Sequence, residues 1–142
     1  NKNAYKTPYD EAKASLKTLD AKKYLKRGEQ KEYYTQLSFI VRRYLGRVYH
    51  FSALEILSDD LVKYVALKPD ILPEDVQKFK QFLFDADLVK FAKQQFDDST
   101  NEAHRKWVDE FVEHVKPLEI PENEDLKTDQ VTGEKYKQFN NN

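Results

Sequence analysis

Cysteine is absent from all 142 residues, which excludes disulfides and thiolate metal sites and fits a reducing cytoplasm. Methionine is absent as well, initiator included, and this predicts an internal or C-terminal piece of a longer protein. Three glycines and five prolines are too few for a turn-rich sandwich or barrel. The glycines stand far apart, so no phosphate-cradling loop is present, and no glycine-flanked serine offers a nucleophile on a strained turn. No apolar run approaches the roughly 20 residues that span a bilayer, and no signal-peptide pattern occurs.

What remains is charge and helical periodicity. The chain is 35% charged and 39% hydrophobic, about one domain long, with enough apolar residues for a single core. Its net charge of −1 is unevenly spread. Residues 1–60 carry 12 Lys/Arg against 8 Asp/Glu, residues 61–116 carry 9 against 11, and residues 117–142 carry 3 against 6.

Apolar spacing predicts an all-α fold of about five main helices. Thr7-Pro8 opens the first, on which Tyr9, Ala12, Leu16 and Leu19 share a face. Asp20 is a candidate cap for a short piece with Tyr24 and Leu25 that Gly28 terminates. The strongest segment is Glu29 to Tyr49, where Tyr33, Tyr34, Leu37, Ile40, Val41, Tyr44, Leu45 and Val48 fall in an arc of roughly 140°. It is the expected central helix, with Phe39 and Gly46 on a second contacted side.

Ser58 is the expected cap of the next helix, with Leu61, Val62 and Val65 inward and Pro69 as its stop. Pro73-Glu74-Asp75 starts another. Its apolar residues change phase: Val76, Phe79, Phe82 and Leu83 share one side, whereas Phe84, Leu88 and Phe91 lie on a different one. A straight helix would expose one set, so a break is expected near Asp85 to Asp87, with Asp87 capping the restart. Ser99 and Glu102 form a capping box for the last helix, whose stripe is Ala103, Trp107, Val108, Phe111, Val112 and Val115. Three segments result: a juxtamembrane or linker stretch at 1–7, a single helical domain at 8–116, and an acidic tail at 117–142 expected to be disordered.

Candidate chemistry is sparse. His50, His104 and His114 lack the i, i+4 spacing of paired metal ligands, which leaves solvated or capping roles. Asp59-Asp60, Asp85/Asp87 and Asp97-Asp98 lack the twelve-residue loop of a calcium site, and helix capping accounts for each. No catalytic residue, metal site or cofactor is therefore assigned, and the chain is not expected to be an enzyme. The basic residues Lys22, Lys23, Lys26, Arg27 and Lys31, with Arg42, Arg43 and Arg47, leave three readings open: solvated helix faces, membrane proximity, and nucleic-acid binding. Tyrosines 33, 34, 44 and 49 at helical spacing read as core whose hydroxyls reach the domain edge.

Three stretches carry a family resemblance. Leu25 to Leu45 contains Gly28, Lys31-Glu32-Tyr33-Tyr34, Leu37 and Arg43-Tyr44-Leu45. Ala53-Leu54-Glu55-Ile56 precedes Ser58-Asp59-Asp60-Leu61, and Ala86 to Lys93 is the most specific piece. Over residues 8 to 115 the chain resembles the cytoplasmic C-terminal domain of BatD-related Bacteroidetes membrane proteins from the MoxR/Bat (aerotolerance) gene clusters. It differs from them in lacking a tryptophan near Tyr24, in Gly46-Arg47, and in Leu57-Ser58, which marks a divergent subgroup.

The resemblance implies an extracytoplasmic β-sandwich portion, one membrane-spanning helix before Asn1, and this domain on the cytoplasmic side of the inner membrane. Implied partners are a MoxR-type AAA+ ATPase and von Willebrand factor A domain proteins. The expected function is non-catalytic protein interaction, with a membrane-tethered nucleic-acid-binding domain as the alternative. The candidate interaction residues are Arg42, Arg47, Asp87, Lys90 and Lys93.

Overall fold

A computed structural model of the chain describes residues 7–117. The expected tail beyond Pro117 and the expected linker before Thr7 lie outside the described residues. Five α-helices follow one another: α1 Pro8–Ala21, α2 Gln30–Tyr49, α3 Ser58–Ala66, α4 Pro73–Ala92 and α5 Asp98–His114. Short 3-10 turns at Leu25–Arg27 and Ala53–Glu55 complete the order, and no strand occurs among the described residues.

Helix α1 starts as its sequence dictates. Thr7 Oγ1 accepts the Asp10 amide at 3.0 Å, and Pro8 occupies a first-turn position where no amide hydrogen is needed. Ala12, Leu16 and Leu19 are buried against α2. The following 3-10 turn is preceded by Tyr24, and Gly28 closes it in the left-handed region at φ 74°. Asp20 is not its cap: Asp20 ends up inside α1 and takes two hydrogen bonds from Arg105 of α5, at 3.0 and 2.9 Å.

Helix α2 is the organising element, touching α1, α4, α5 and the Ala53–Glu55 turn. Tyr34, Leu37, Val41 and Leu45 have no exposed surface, and full burial of a side chain of this size contributes about 1.5–3 kcal/mol. The buried hydroxyls are satisfied, since Tyr34 donates to Asn101 Oδ1 at 2.6 Å and Tyr44 to the Val112 carbonyl at 3.3 Å. At the far end, a Cβ on Gly46 would lie 2.8 Å from the Phe51 carbonyl oxygen. Glycine there lets the chain fold back tightly over the helix end. Phe39, expected on the same contacted side, instead remains 44% exposed.

Helix α4 corrects the expected break. It runs without interruption from Pro73 to Ala92, burying Phe79, Phe82, Leu83, Ala86 and Val89. The other phase is left outside: Phe84 is 60% exposed, Phe91 76%, and Leu88 is half-buried. Asp87 therefore sits within a continuous helix and caps nothing.

Helix α5 is capped by Asp97, whose side chain accepts the Thr100 amide at 2.9 Å. The expected Ser99 cap is displaced by two residues because the helix already includes Asp98, and Ser99 Oγ donates to Asp97 Oδ1 at 3.3 Å. Trp107, Val108, Phe111, Val112 and Val115 are buried, whereas Ala103 faces out. Phe111 stacks on Phe79 and Trp107 at centroid distances of 5.6 and 4.8 Å, tying α5 to α4.

Two histidines pair with aspartates, His104 in a largely buried position and His114 half-exposed at the end of α5. His104 Nε2 lies 2.8 Å from Asp85 Oδ2, both side chains being largely buried between α4 and α5. His114 Nδ1 lies 2.8 Å from Asp75 Oδ2, and Trp107 Nε1 donates to the other oxygen of Asp75 at 3.2 Å. Asp85, expected as a cap, is thus a mid-helix acceptor for His104 and for Gln81 at 2.9 Å.

Candidate functional site

The side chains that α4 leaves outside lie beside a polar cluster. Asp87 and Lys90, on the outer half of this helix, face Arg42 of α2 and Ser58 at the start of α3. Arg42 reaches out of α2 and ties down the connector, residues 50–57 between α2 and α3: Nη1 donates to the carbonyls of Ala53 and Ile56 at 2.9 and 2.6 Å, and Nη2 to Ser58 Oγ at 3.0 Å. Ser58 Oγ in turn donates to Asp87 Oδ2 at 2.9 Å. Helix α3 has no side-chain cap, and its expected cap Ser58 is the first helical residue, used for this tertiary link instead.

Above the cluster lies an open groove of about 440 Å³. One wall is the connector with Leu54 and Leu57; the other is the end of α4 with Phe91; Phe39 closes the α2 side. A neighbouring depression shares Ser58 and Asp87 and is bordered by Phe84. Seven large hydrophobic side chains are exposed among the described residues, and five of them, Phe39, Leu54, Leu57, Phe84 and Phe91, border these two depressions. Scattered exposed apolar residues are ordinary, whereas a contiguous set around a polar centre marks a surface for something to cover.

The charges that line the groove balance. Two cations, Arg42 and Lys90, stand with two carboxylates, Asp87 and the exposed Glu55. Burial holds the Arg42 guanidinium below its ordinary value, with Asp87 acting in the opposite sense. Burial likewise lowers the Lys90 amine; Asp87 counteracts this and Arg42 adds to it. The hydrogen bonds of Arg42 are consumed within the fold. Lys90 Nζ has only a 3.5 Å contact with Ser38 Oγ and a position 5.2 Å from the centre of the Phe91 ring. It forms no ion pair among the described residues.

Three of the five residues singled out from the sequence, Arg42, Asp87 and Lys90, therefore meet at one place. Arg42 is half-buried and acts as a strut, not as an exposed charge awaiting a partner. Arg47 lies elsewhere: with Arg43 it clasps the buried carboxylate of Glu11, at 2.8 and 2.7 Å, and so joins α1 to α2. Lys93 is exposed at the end of α4 in the left-handed region, at φ 61°, and is not part of the groove lining. Leu54, Leu57 and Phe39 went unrecognised in the sequence, where the first two fall between the periodic helical segments and the third reads as a packed side chain. The phase change in α4 was the available signal for Phe84, Leu88 and Phe91.

The basic stretch near the first turn is partly self-neutralised. Arg27 Nε and Nη2 bond Glu29 Oε1 at 3.3 and 3.1 Å, and Nη1 bonds the Lys22 carbonyl at 2.6 Å. No group of three or more His, Asp or Glu side chains placed to share a metal ion occurs among the described residues. No described helix is long and apolar enough to cross a membrane. Compared with known proteins, the chain matches no family model, no curated protein and no solved structure.

Proposed function

We propose that this chain is a non-catalytic protein-interaction domain that receives its partner in the groove between the connector and the end of α4. The observation that carries the reading is the gathering of five exposed large apolar side chains around the Arg42–Ser58–Asp87–Lys90 cluster. Interfaces draw their energy from a few aromatic and aliphatic anchors around a desolvated centre, and Phe39, Leu57 and Phe91 have that character here. Arg42 supports the reading from below, because its bonds to the connector hold Leu54 and Leu57 in place without a partner.

The setting in this proposal comes from the resemblance. It places the domain on the cytoplasmic side of an inner-membrane protein, coupling an extracytoplasmic module to a MoxR-type AAA+ ATPase or a von Willebrand factor A domain protein. The nucleic-acid reading gains no support from the arginines of α2, since Arg42 is engaged with backbone carbonyls and Arg43 and Arg47 with Glu11.

Binding of the full chain to those two partners, measured by titration, tests the proposal. Phe91→Gln combined with Leu57→Gln is expected to abolish association, while Leu67→Gln leaves it unchanged. Leu67 is 80% exposed yet outside the groove. Equal loss in both variants, or loss in neither, contradicts the assignment of the surface.

A further inference from the structure

We infer that the cleft between the end of α1, the Leu25–Arg27 turn and the start of α5 binds an uncharged, mainly apolar small molecule, one oxygen of which accepts a hydrogen bond from the Tyr33 hydroxyl. This second site shares no residue with the groove and stands independently of the docking reading.

The first support is a donor left without a partner. Tyr33 is 4% exposed, and its ring is held edge-on to that of Tyr34 at a centroid distance of 5.5 Å. Whereas the hydroxyls of Tyr34 and Tyr44 are bonded inside the fold, that of Tyr33 makes no hydrogen bond among the described residues. Nor is it sealed in, since Arg105 Nη1 is the one fully buried side-chain nitrogen or oxygen among them that lacks a hydrogen bond. The Tyr33 hydroxyl therefore opens into the cleft that this residue lines. Burial pushes it up to about 12, so at neutral pH it is an uncharged O–H with a proton to donate. A ligand oxygen supplies the acceptor that the fold does not.

The second support is size and lining. The cleft holds about 500 Å³, within the range of about 300–1,000 Å³ for small-molecule sites. Leu19, Tyr24, Leu25 and the Tyr33 ring give it a mainly apolar surface. Charge selects little, because Lys23, Lys26, Arg105 and Lys106 stand with three carboxylates, Asp20, Glu102 and Asp109. Arg105 is already engaged by Asp20 and Asp109. An apolar body with a single acceptor fits such a lining without adding a charge that must be desolvated.

The third support is that the walls are built without a ligand. Asp20 takes both bonds of Arg105, at 3.0 and 2.9 Å, and so ties the end of α1 to α5. Lys23 turns the chain out of α1 in the left-handed region at φ 55°. Arg27 Nη1 then donates to the Lys22 carbonyl at 2.6 Å, and its guanidinium packs 5.3 Å from the centre of the Tyr24 ring. Tyr24 and Leu25 are thereby fixed in the cleft wall, which spares a ligand the cost of ordering them.

The test titrates the full chain with prodan, an uncharged fluorophore whose naphthalene body carries one ketone, and with dimethylaminonaphthalene, which lacks the ketone. Saturable binding of one prodan per chain is expected. Tyr33→Phe should weaken prodan about threefold to tenfold, the worth of one neutral hydrogen bond, and leave dimethylaminonaphthalene unchanged. Because the hydroxyl bonds nothing in the fold, the same variant should unfold in denaturant as the parent chain does. Leu25→Glu sets a charge against the apolar body and should abolish binding of both molecules. Absence of saturable binding overturns the inference, as does a Tyr33→Phe chain that binds prodan as before or weakens both molecules alike. A Tyr33→Phe chain that unfolds more readily shows the hydroxyl bonded within the fold and overturns it too. Binding that Phe91→Gln with Leu57→Gln removes, but Leu25→Glu does not, places the probe in the groove; it overturns the inference and leaves the docking reading standing.

Discussion

Arg42 Nη1 donates to the Ile56 carbonyl at 2.6 Å, and this bond fixes the stretch of connector that presents Leu57. The same guanidinium holds the Ala53 carbonyl and Ser58, so its removal leaves two carbonyls without their donor. Arg42→Ala is expected to lower stability by about 3 kcal/mol, in the range for hydrogen bonds to charged groups, and to weaken partner binding as well. Denaturant unfolding of the variant checks the first effect. A loss below about 0.5 kcal/mol, the level of an ordinary surface substitution, removes Arg42 from its role as the strut of the groove.

Gly46→Ala opposes two magnitudes. Alanine gains about 1 kcal/mol in helix propensity over glycine, but its Cβ would meet the Phe51 carbonyl oxygen at 2.8 Å. Backbone is the obstructing atom, so the helix end and connector must shift, at a cost of about 1–3 kcal/mol. Net destabilisation is expected in equilibrium unfolding. A more stable variant would show that the connector yields freely, and with it the rigidity of the groove wall.

Asp75→Ala removes the shared acceptor of the Trp107 indole and the His114 imidazole. Asp75 is 3% exposed, so the buried indole N–H loses its partner, and a loss of about 1–3 kcal/mol is expected. Asp75→Asn keeps a carbonyl for Trp107 and should lose less. Equal losses in the two variants would locate the effect in the charge alone.

Tyrosines in and around the core set the alkaline limit. Burial pushes the Tyr33 hydroxyl up to about 12 from its ordinary 10.0, and bonding to the Glu113 carboxylate raises Tyr9 to about 12. Burial raises Tyr34, Tyr44 and Tyr49 as well. The folded state therefore holds protons that the unfolded chain releases, and the unfolded state binds fewer of them above pH 10. Their contribution is fully present at neutral pH and falls as the pH rises from about 10 through 12. Stability measured across that window, with tyrosinate absorbance followed in parallel, should drop together with ionisation. Tyrosines that all ionise at their ordinary value in the folded chain would contradict the burial of these hydroxyls.

The helices and most of the core were legible because their apolar residues recur at helical spacing over long stretches, α2 above all. The groove was legible only as a conflict. The phase change between Phe82 and Phe84 has two physical resolutions: a bend that buries both sets, or a straight helix that leaves one out for another molecule. Local sequence does not choose between them; packing of Phe82, Leu83, Ala86 and Val89 on α2 and α3 does. Ser58 and Asp87 read as caps because serine and aspartate at helix starts and in tertiary hydrogen bonds are the same residue types. Arg42 and Arg47 lie about 140° apart on the α2 wheel, which already placed them on different faces, whereas the pairing of Arg47 with Glu11 depends on how α1 packs against α2.

Site-specific photo-crosslinking inside the cell addresses the groove most directly, with a photoreactive residue placed at position 57, 91 or, as the exposed control, 67 of the full chain. Docking in the groove requires that positions 57 and 91 crosslink to the same protein and that position 67 does not; the resemblance implies that this protein is a MoxR-type ATPase or a von Willebrand factor A domain protein. Crosslinking from position 67 alone, or equally from all three, would contradict it.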